Sequence, residues 1–272
     1  MGLGCNAVGV TGCRIIDSRR ERLAAILTNA FVPCNGRFPA LIAIITMFVA
    51  GSGIAGTAVL FVVILCGVLV TFGVTWLLCS TLLRRQSSAF TLELPPFRLP
   101  DLTRIAVRSV FDRTVFVLGR AVSVAAPAGL VIWCLANLRF GNGTLLSLGA
   151  GLLEPVGVLL GVDGVFLLAL LLGLPANEIV LSVAFMCYTA GNSLVAYDSL
   201  ATFRSVLLSK GWDTGMAVCA LILMLFHFPC ATTLLTVRRE TGSIRWMLLS
   251  AALPMAVGSV LAFSVNMIFR MF

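Results

Sequence analysis

Charge is what this sequence has least of. Asp, Glu, Lys and Arg make up 11% of its 272 residues, where a water-facing surface needs roughly a quarter. Lysine occurs once, as Lys210, and histidine once, as His227. With a single histidine and scattered carboxylates, neither a hydrolase triad nor a zinc site can be assembled. No GxxxxGK[ST] stretch occurs, so the chain holds no P-loop nucleotide site. No CxxC occurs either, so the nine cysteines do not read as a disulfide or zinc framework. Gly51-Ser52-Gly53-Ile54-Ala55-Gly56 fits GxGxxG, but it joins two apolar runs rather than a strand and a helix, which excludes a dinucleotide site. Met1-Gly2-Leu3-Gly4-Cys5 has no positive n-region, so no cleavable signal peptide is expected.

What is abundant is apolar surface. Hydrophobic residues make up 60% of the chain and the mean hydropathy is +1.07. They occur in runs long enough to cross a hydrocarbon layer of roughly 30 Å. The bilayer is therefore the expected solvent. The expected fold class is all-α, a polytopic transmembrane helical bundle with broken or re-entrant helices. The net charge of +8 is almost wholly arginine at the ends of apolar runs, where cytoplasmic headgroups attract it. No basic face with interleaved aromatics exists, so no nucleic-acid partner is expected.

Basic segments at 14–22, 84–113 and 238–245 are expected on the cytoplasmic side. Between the first two lies a 46-residue apolar run, Phe38 to Leu83, which predicts two spans folding back at Gly51-Ser52-Gly53. The loop 84–102 is polar and proline-bearing. Leu102 to Arg113 reads as an interfacial amphipathic helix with Arg104, Arg108 and Arg113 on its wet side. Thr114–Leu138, Met216–Thr236 and Trp246–Phe269 read as further spans, and Leu152–Leu160 as a half-helix. Val165–Thr189 is apolar but interrupted at Gly173-Leu174-Pro175-Ala176-Asn177-Glu178. Three crossings between basic loops on one side would be an odd number, so this broken segment is expected to be re-entrant.

The break concentrates the chemistry. Pro175 removes a backbone donor and interrupts the helix, and freed backbone at membrane depth must face protein or a water-lined cavity. Asn177 and Glu178 then sit at the positive start of a second half-helix. A carboxylate at that depth is costly and marks a site, unless it merely caps the half-helix. Cys34 and Cys230 each follow a proline directly, which displays a thiol from irregular backbone, and Cys5 is followed by Asn6. Thiolates suit softer divalent metals better than Mg(II) or Ca(II). Cys13 borders a basic loop and has weaker support. Cys66, Cys79, Cys134 and Cys187 lie in apolar runs as small hydrophobes, and His227 reads as a hydrogen-bonded core histidine. The chain also echoes itself. Leu3-Gly4-Cys5-Asn6 is followed by Pro33-Cys34, and Leu174-Pro175-Ala176-Asn177 by Pro229-Cys230, which matches the repeat logic of many transporters.

Several stretches, in this order, resemble the bacterial ferrous iron transport protein B (FeoB) family. They are Gly4-Cys5-Asn6, Ile15 to Leu23, Phe31-Val32-Pro33-Cys34-Asn35-Gly36-Arg37-Phe38-Pro39, and Leu92 to Pro100. They continue with Gly173 to Val180, Phe228-Pro229-Cys230 and Arg239 to Ser243. The resemblance implies a membrane part of two gate regions around a central segment: 1–37 closing the first gate, 38–100 as a two-span segment with a polar loop, and 101–272 as the second gate. It implies Fe(II) as the transported ion, moved inward by a multi-pass protein of the bacterial cytoplasmic (inner) membrane. Metal-handling residues would be Cys5, Asn6 and Cys34 in the first gate, and Asn177, Glu178 and Cys230 in the second. The chain itself would not be an enzyme, since GTP hydrolysis belongs to a domain that family members carry at the front and this sequence lacks. The expected partners are the lipid bilayer and a GTP-binding domain, of the full-length protein or on a separate chain. A small cytoplasmic accessory protein and a second copy of the chain are further candidates. Phe97 stands where many relatives have Tyr. Ala7-Val8 replaces Val-Pro, so the first break is expected to be less sharp. The alternatives are a gate-type transporter of a nucleoside or other organic solute, and a non-functional truncated fragment.

Overall fold

The structure is a computed structural model that describes residues 2–49, 53–84, 101–108, 115–140, 143–189 and 200–271. Helices dominate, as the composition requires. The described strand structure is one antiparallel ladder, β1 (Arg139–Phe140) with β2 (Gly143–Thr144), too short to form a layer.

Two helices among the described residues are long and apolar enough to cross a membrane: α4 (Ile54–Ser80) and α13 (Ile244–Met271). At about 1.5 Å per residue they measure about 40 Å. On α4 Phe61, Leu65, Leu69, Phe72 and Trp76 are all exposed, at spacings that line one helical face. Such a face is stable against lipid tails and not against water.

The chain begins with α1 (Asn6–Gly12) and α2 (Arg19–Thr28), and α3 (Phe38–Ile44) continues through a π-turn over Ile45–Val49. Here the structure corrects the sequence reading. The long apolar run does not supply two spans, because its first half is the short helix Phe38–Val49. That segment buries Ala40, Leu41, Ala43, Ile44 and Ile45 in the main core rather than presenting them to lipid. Of the polar region that follows, α5 (Leu102–Arg108) is described. The 85–100 loop, Arg113 and the side chains of Arg104 and Arg108 lie outside the described residues. The next helix is α6 (Phe116–Asn137), of which Val122–Asn137 forms an apolar helix among the described residues.

Two sharp corners follow, and one local code writes both. The helix α7 (Leu145–Leu160) ends at Gly161, whose φ of +76° is the left-handed conformation glycine tolerates. Two residues later the Asp163 carboxylate accepts from Phe166 N at 2.9 Å and starts α8 (Gly164–Leu172), bent 107° from α7. The helix α10 (Leu200–Ser209) gives way to Gly211 at φ +86°, and Asp213 accepts from Met216 N at 2.7 Å to start α11 (Thr214–Leu225), bent 114°. If each bent pair is one span, the described residues hold up to four spans. The corners are tied together: the Asp163 carboxylate accepts from Tyr188 Oη at 2.5 Å and from the Trp212 indole at 3.3 Å.

The remaining helices are α9 (Val180–Tyr188) and α12 (Ala231–Thr241). The break expected before α9 is present, so Val165–Thr189 is not a continuous span. Met216–Thr236 is a second correction. The apolar run predicts a full span, but the helix stops at Leu225 and resumes at Ala231, because Pro229 lacks the N–H that would bond Leu225 O. Among the described residues the basic segments 14–22 and 238–245 meet each other. Arg14 donates to Glu240 through Nε at 2.7 Å and Nη2 at 2.6 Å, and Arg20 donates to Cys79 O at 2.7 Å near the end of α4. At the far end of α13, Asn266 and Arg270 donate to the last carbonyls of α7.

Candidate functional site

The site is built from four pieces of irregular backbone: the turn before α1, the Pro33–Arg37 turn before α3, the break before α9 and the break before α12. Backbone hydrogen bonds that the breaks set free join these pieces across the fold. Asn35 N donates to Gly4 O at 3.2 Å, bringing the Cys34 turn to the Cys5 turn. Ala231 N donates to Leu174 O at 2.8 Å, bringing the Cys230 break to the Pro175 break. The echo in the sequence is therefore an echo in the structure. In each half the residue after Pro-Cys bonds a carbonyl near the break asparagine, two residues before Asn6 and three before Asn177.

Those asparagines carry the least satisfied atoms of the site. Asn6 and Asn177 are 3% and 4% exposed, and neither the oxygen nor the nitrogen of either side chain has a hydrogen-bond partner. An unpaired buried amide costs roughly 1–3 kcal/mol. The capping role weighed for Glu178 is not seen, because no side-chain hydrogen bond caps the start of this half-helix. Glu178 differs from its expectation in another way: it is exposed, not buried. The turn that points Asn177 inward points the next side chain out. Gly36 sits beside it, and a Cβ there would lie 4.0 Å from both Glu178 N and Oε2. Cys5, Cys34 and Cys230 are all half-buried, and Cys230 Sγ lies 3.3 Å from Thr233 Oγ1.

Two residues that the sequence reading did not single out for the site lie at its centre. Arg37 is wholly buried and interacts electrostatically with both Cys34 and Cys230. It is an arginine stranded between two apolar runs and bracketed by Gly36 and Phe38-Pro39, a signal that was available. His227 places a ring nitrogen, Nε2, 2.8 Å from Leu170 O. A carbonyl only accepts, so Nε2 carries the proton and the ring ties the α11–α12 break to α8. This agrees with its reading as a core histidine.

The six expected metal-handling residues do not close into one cage. Among the described residues no group of three or more His, Cys, Asp and Glu side chains stands close enough to hold an ion. The arrangement offers instead dispersed sulfur and amide oxygen along two breaks. Cys13 is not part of it. Burial first, and the Glu240 charge second, push its thiol up, which disfavours the thiolate a metal needs. At the same face Glu240 raises the Arg14 guanidinium, by hydrogen bonding first and by charge second.

Long apolar helices, bent helix pairs and unpaired polar groups at the breaks define the class: a polytopic α-helical membrane protein. Within that class the chain resembles the ferrous iron transport protein B family. Residues 60–112 match the family model described as Ferrous iron transport protein B C terminus. Across 97% of its length the chain is 25% identical to the Fe(2+) transporter FeoB of Staphylococcus aureus (strain COL). Over the same share it is 27% identical to the Fe(2+) transporter FeoB of Synechocystis sp.. A Porphyromonas gingivalis protein named as a fusion of Fe(2+) transport protein A and Fe(2+) transporter FeoB is 24% identical. The chain spans only about two-fifths of the curated relatives it matches, 39% and 42% of the first two. No solved structure matches it.

Proposed function

We propose that this chain is the permeation core of a ferrous iron importer in the bacterial cytoplasmic membrane. Fe(II) would pass along the two breaks, exchanging water for the amide oxygens of Asn6 and Asn177, the thiols of Cys5, Cys34 and Cys230, and the carboxylate of Glu178. The observation that carries this reading is the pair of buried, unpartnered asparagines, one at each break of a chain whose relatives are named Fe(2+) transporters. Dispersed ligands suit passage, because a closed cage of thiolates would bind Fe(II) too tightly to release it. Sulfur among them favours Fe(II) over Mg(II) and Ca(II).

The chain is not itself an enzyme in this reading, and any nucleotide hydrolysis belongs to a GTP-binding partner domain. The fusion relative points to Fe(2+) transport protein A as the accessory protein. An organic-solute carrier is disfavoured, since it would leave the thiols idle. The test is uptake of radiolabelled Fe(II) by anaerobic cells expressing the chain with and without a GTP-binding partner. Each background is compared with Cys34→Ser, Cys230→Ser and Asn177→Leu. Uptake that falls in the three variants supports the pathway. Uptake unchanged in all three removes the ligand assignment, and none in either background, with insertion confirmed, removes the function.

A further inference from the structure

Arg37 is the only Arg, Lys, Asp or Glu that is buried among the described residues. A guanidinium at membrane depth is costly unless its donors are met. Here four bonds meet the donors of the two terminal nitrogens, while Nε, also buried, has no hydrogen-bond partner. Nη1 donates to Ala30 O at 3.0 Å and Leu225 O at 2.8 Å, and Nη2 to His227 O at 2.6 Å and Phe228 O at 3.2 Å. The acceptors explain the arrangement. In a continuous helix Leu225 O would be bonded by the N–H of residue 229, but that residue is proline. His227 O would be bonded by Ala231 N, but that N–H is turned away to Leu174 O. Two carbonyls that the second break strands are thus satisfied by an arginine from the first half of the chain.

We propose that Arg37 is the positioning residue of the pathway. It would hold the Pro33-Cys34 turn against the Pro229-Cys230 break so that the two thiols, one from each half, face a shared space for a soft divalent cation. This rests on the permeation reading above and extends it with a residue that stands in the Cys34 turn and bonds three backbone carbonyls just ahead of Cys230. Lysine cannot replace it. Arginine's planar fork spans four separated carbonyls, whereas an ammonium is one compact donor on a flexible stem.

The test needs no iron. The full chain, folded in membranes or detergent, is treated with phenylene dimaleimide, and the Cys34–Cys230 bridge is quantified by mass spectrometry against singly labelled thiols. The native chain should form the bridge. In the folded fraction of Arg37→Lys the bridge should fall by about ten-fold or more, since an ångström-scale misplacement is enough to lose such geometry. Single labelling of each cysteine should remain. An arginine that only stabilised the fold would lower the yield of folded protein and leave bridging per folded molecule unchanged, which would overturn the proposal. Should Arg37→Lys not accumulate, the native chain decides, because folded native protein that never bridges refutes a shared space. Bridging that depends on Arg37 in a chain without Fe(II) uptake would refute the iron reading and leave the positioning role standing.

Discussion

Replacing Asn177 by leucine should make the protein more stable and less able to carry iron. The two side chains have similar volume, so little packing changes. Both polar atoms of Asn177 are buried and unpaired, and relieving one such amide is worth roughly 1–3 kcal/mol. In thermal unfolding of the detergent-solubilised chain, that corresponds to a rise of several degrees. Asn6→Leu should behave alike, while Asn266→Leu supplies the contrast. Asn266 is also buried, but its amide donates to Val158 O at 3.0 Å and Leu159 O at 2.9 Å. Losing it removes both bonds and strands Leu159 O, since Arg270 still donates to Val158 O, and should cost roughly 1–3 kcal/mol. Saturating Fe(II), at about 100 times its dissociation constant, should stabilise the native chain by about 2.7 kcal/mol and Asn177→Leu by much less. A destabilised Asn177→Leu together with no stabilisation of the native chain by Fe(II) would refute the reasoning. The amide would then have a structural partner rather than a transported one.

Two further outcomes follow from the fold. A methyl group at Gly164 would lie 2.7 Å from Glu154 N and 2.8 Å from Glu154 Oε2. Gly164→Ala should therefore force the α7–α8 hairpin apart at about 1–3 kcal/mol, read as a lower unfolding temperature, and an unchanged temperature would show the corner to be slack. Glu240→Gln removes the charge from an ion pair whose arginine is 61% exposed. It should cost at most about 1 kcal/mol at low salt and progressively less as salt is raised, so a larger or salt-independent loss in unfolding measurements would contradict a surface pair.

How far the sequence could be read follows from what each feature needs. Apolar run length and proline position are local, and the membrane class and the break at Pro175 are legible from them. The break at Pro229 is equally local, but the apolar run on either side of it is long enough to mimic one continuous span. Run length also misled at Phe38–Val49, because hydropathy does not distinguish a helix buried in protein from one facing lipid. The corners were legible in principle: Gly161-Val162-Asp163 and Gly211-Trp212-Asp213 each place a left-handed glycine two residues before a capping aspartate. The site was legible only by residue type. The pairing of Arg37 with Leu225 and His227 spans about 190 residues, and no local pattern encodes which stranded carbonyl an arginine will find.

The two halves diverge where symmetry would be self-defeating. Three residues after Cys34 stands Arg37, and three residues after Cys230 stands Thr233. Thr233 stays within its own half, its hydroxyl 3.3 Å from Cys230 Sγ, while Arg37 crosses to the other half and fills the carbonyls stranded there. A second arginine at position 233 would bring another positive charge toward the same thiols. There would be too few free carbonyls for its donors, since Arg37 already takes Leu225 O and His227 O. Like charges in a low-dielectric interior repel by several kcal/mol, and they would also repel any cation between them. A pathway assembled from two similar halves can therefore hold one such pin. The half that supplies it must differ from its counterpart at this position, and the side chains of Arg37 and Thr233 differ as that requires.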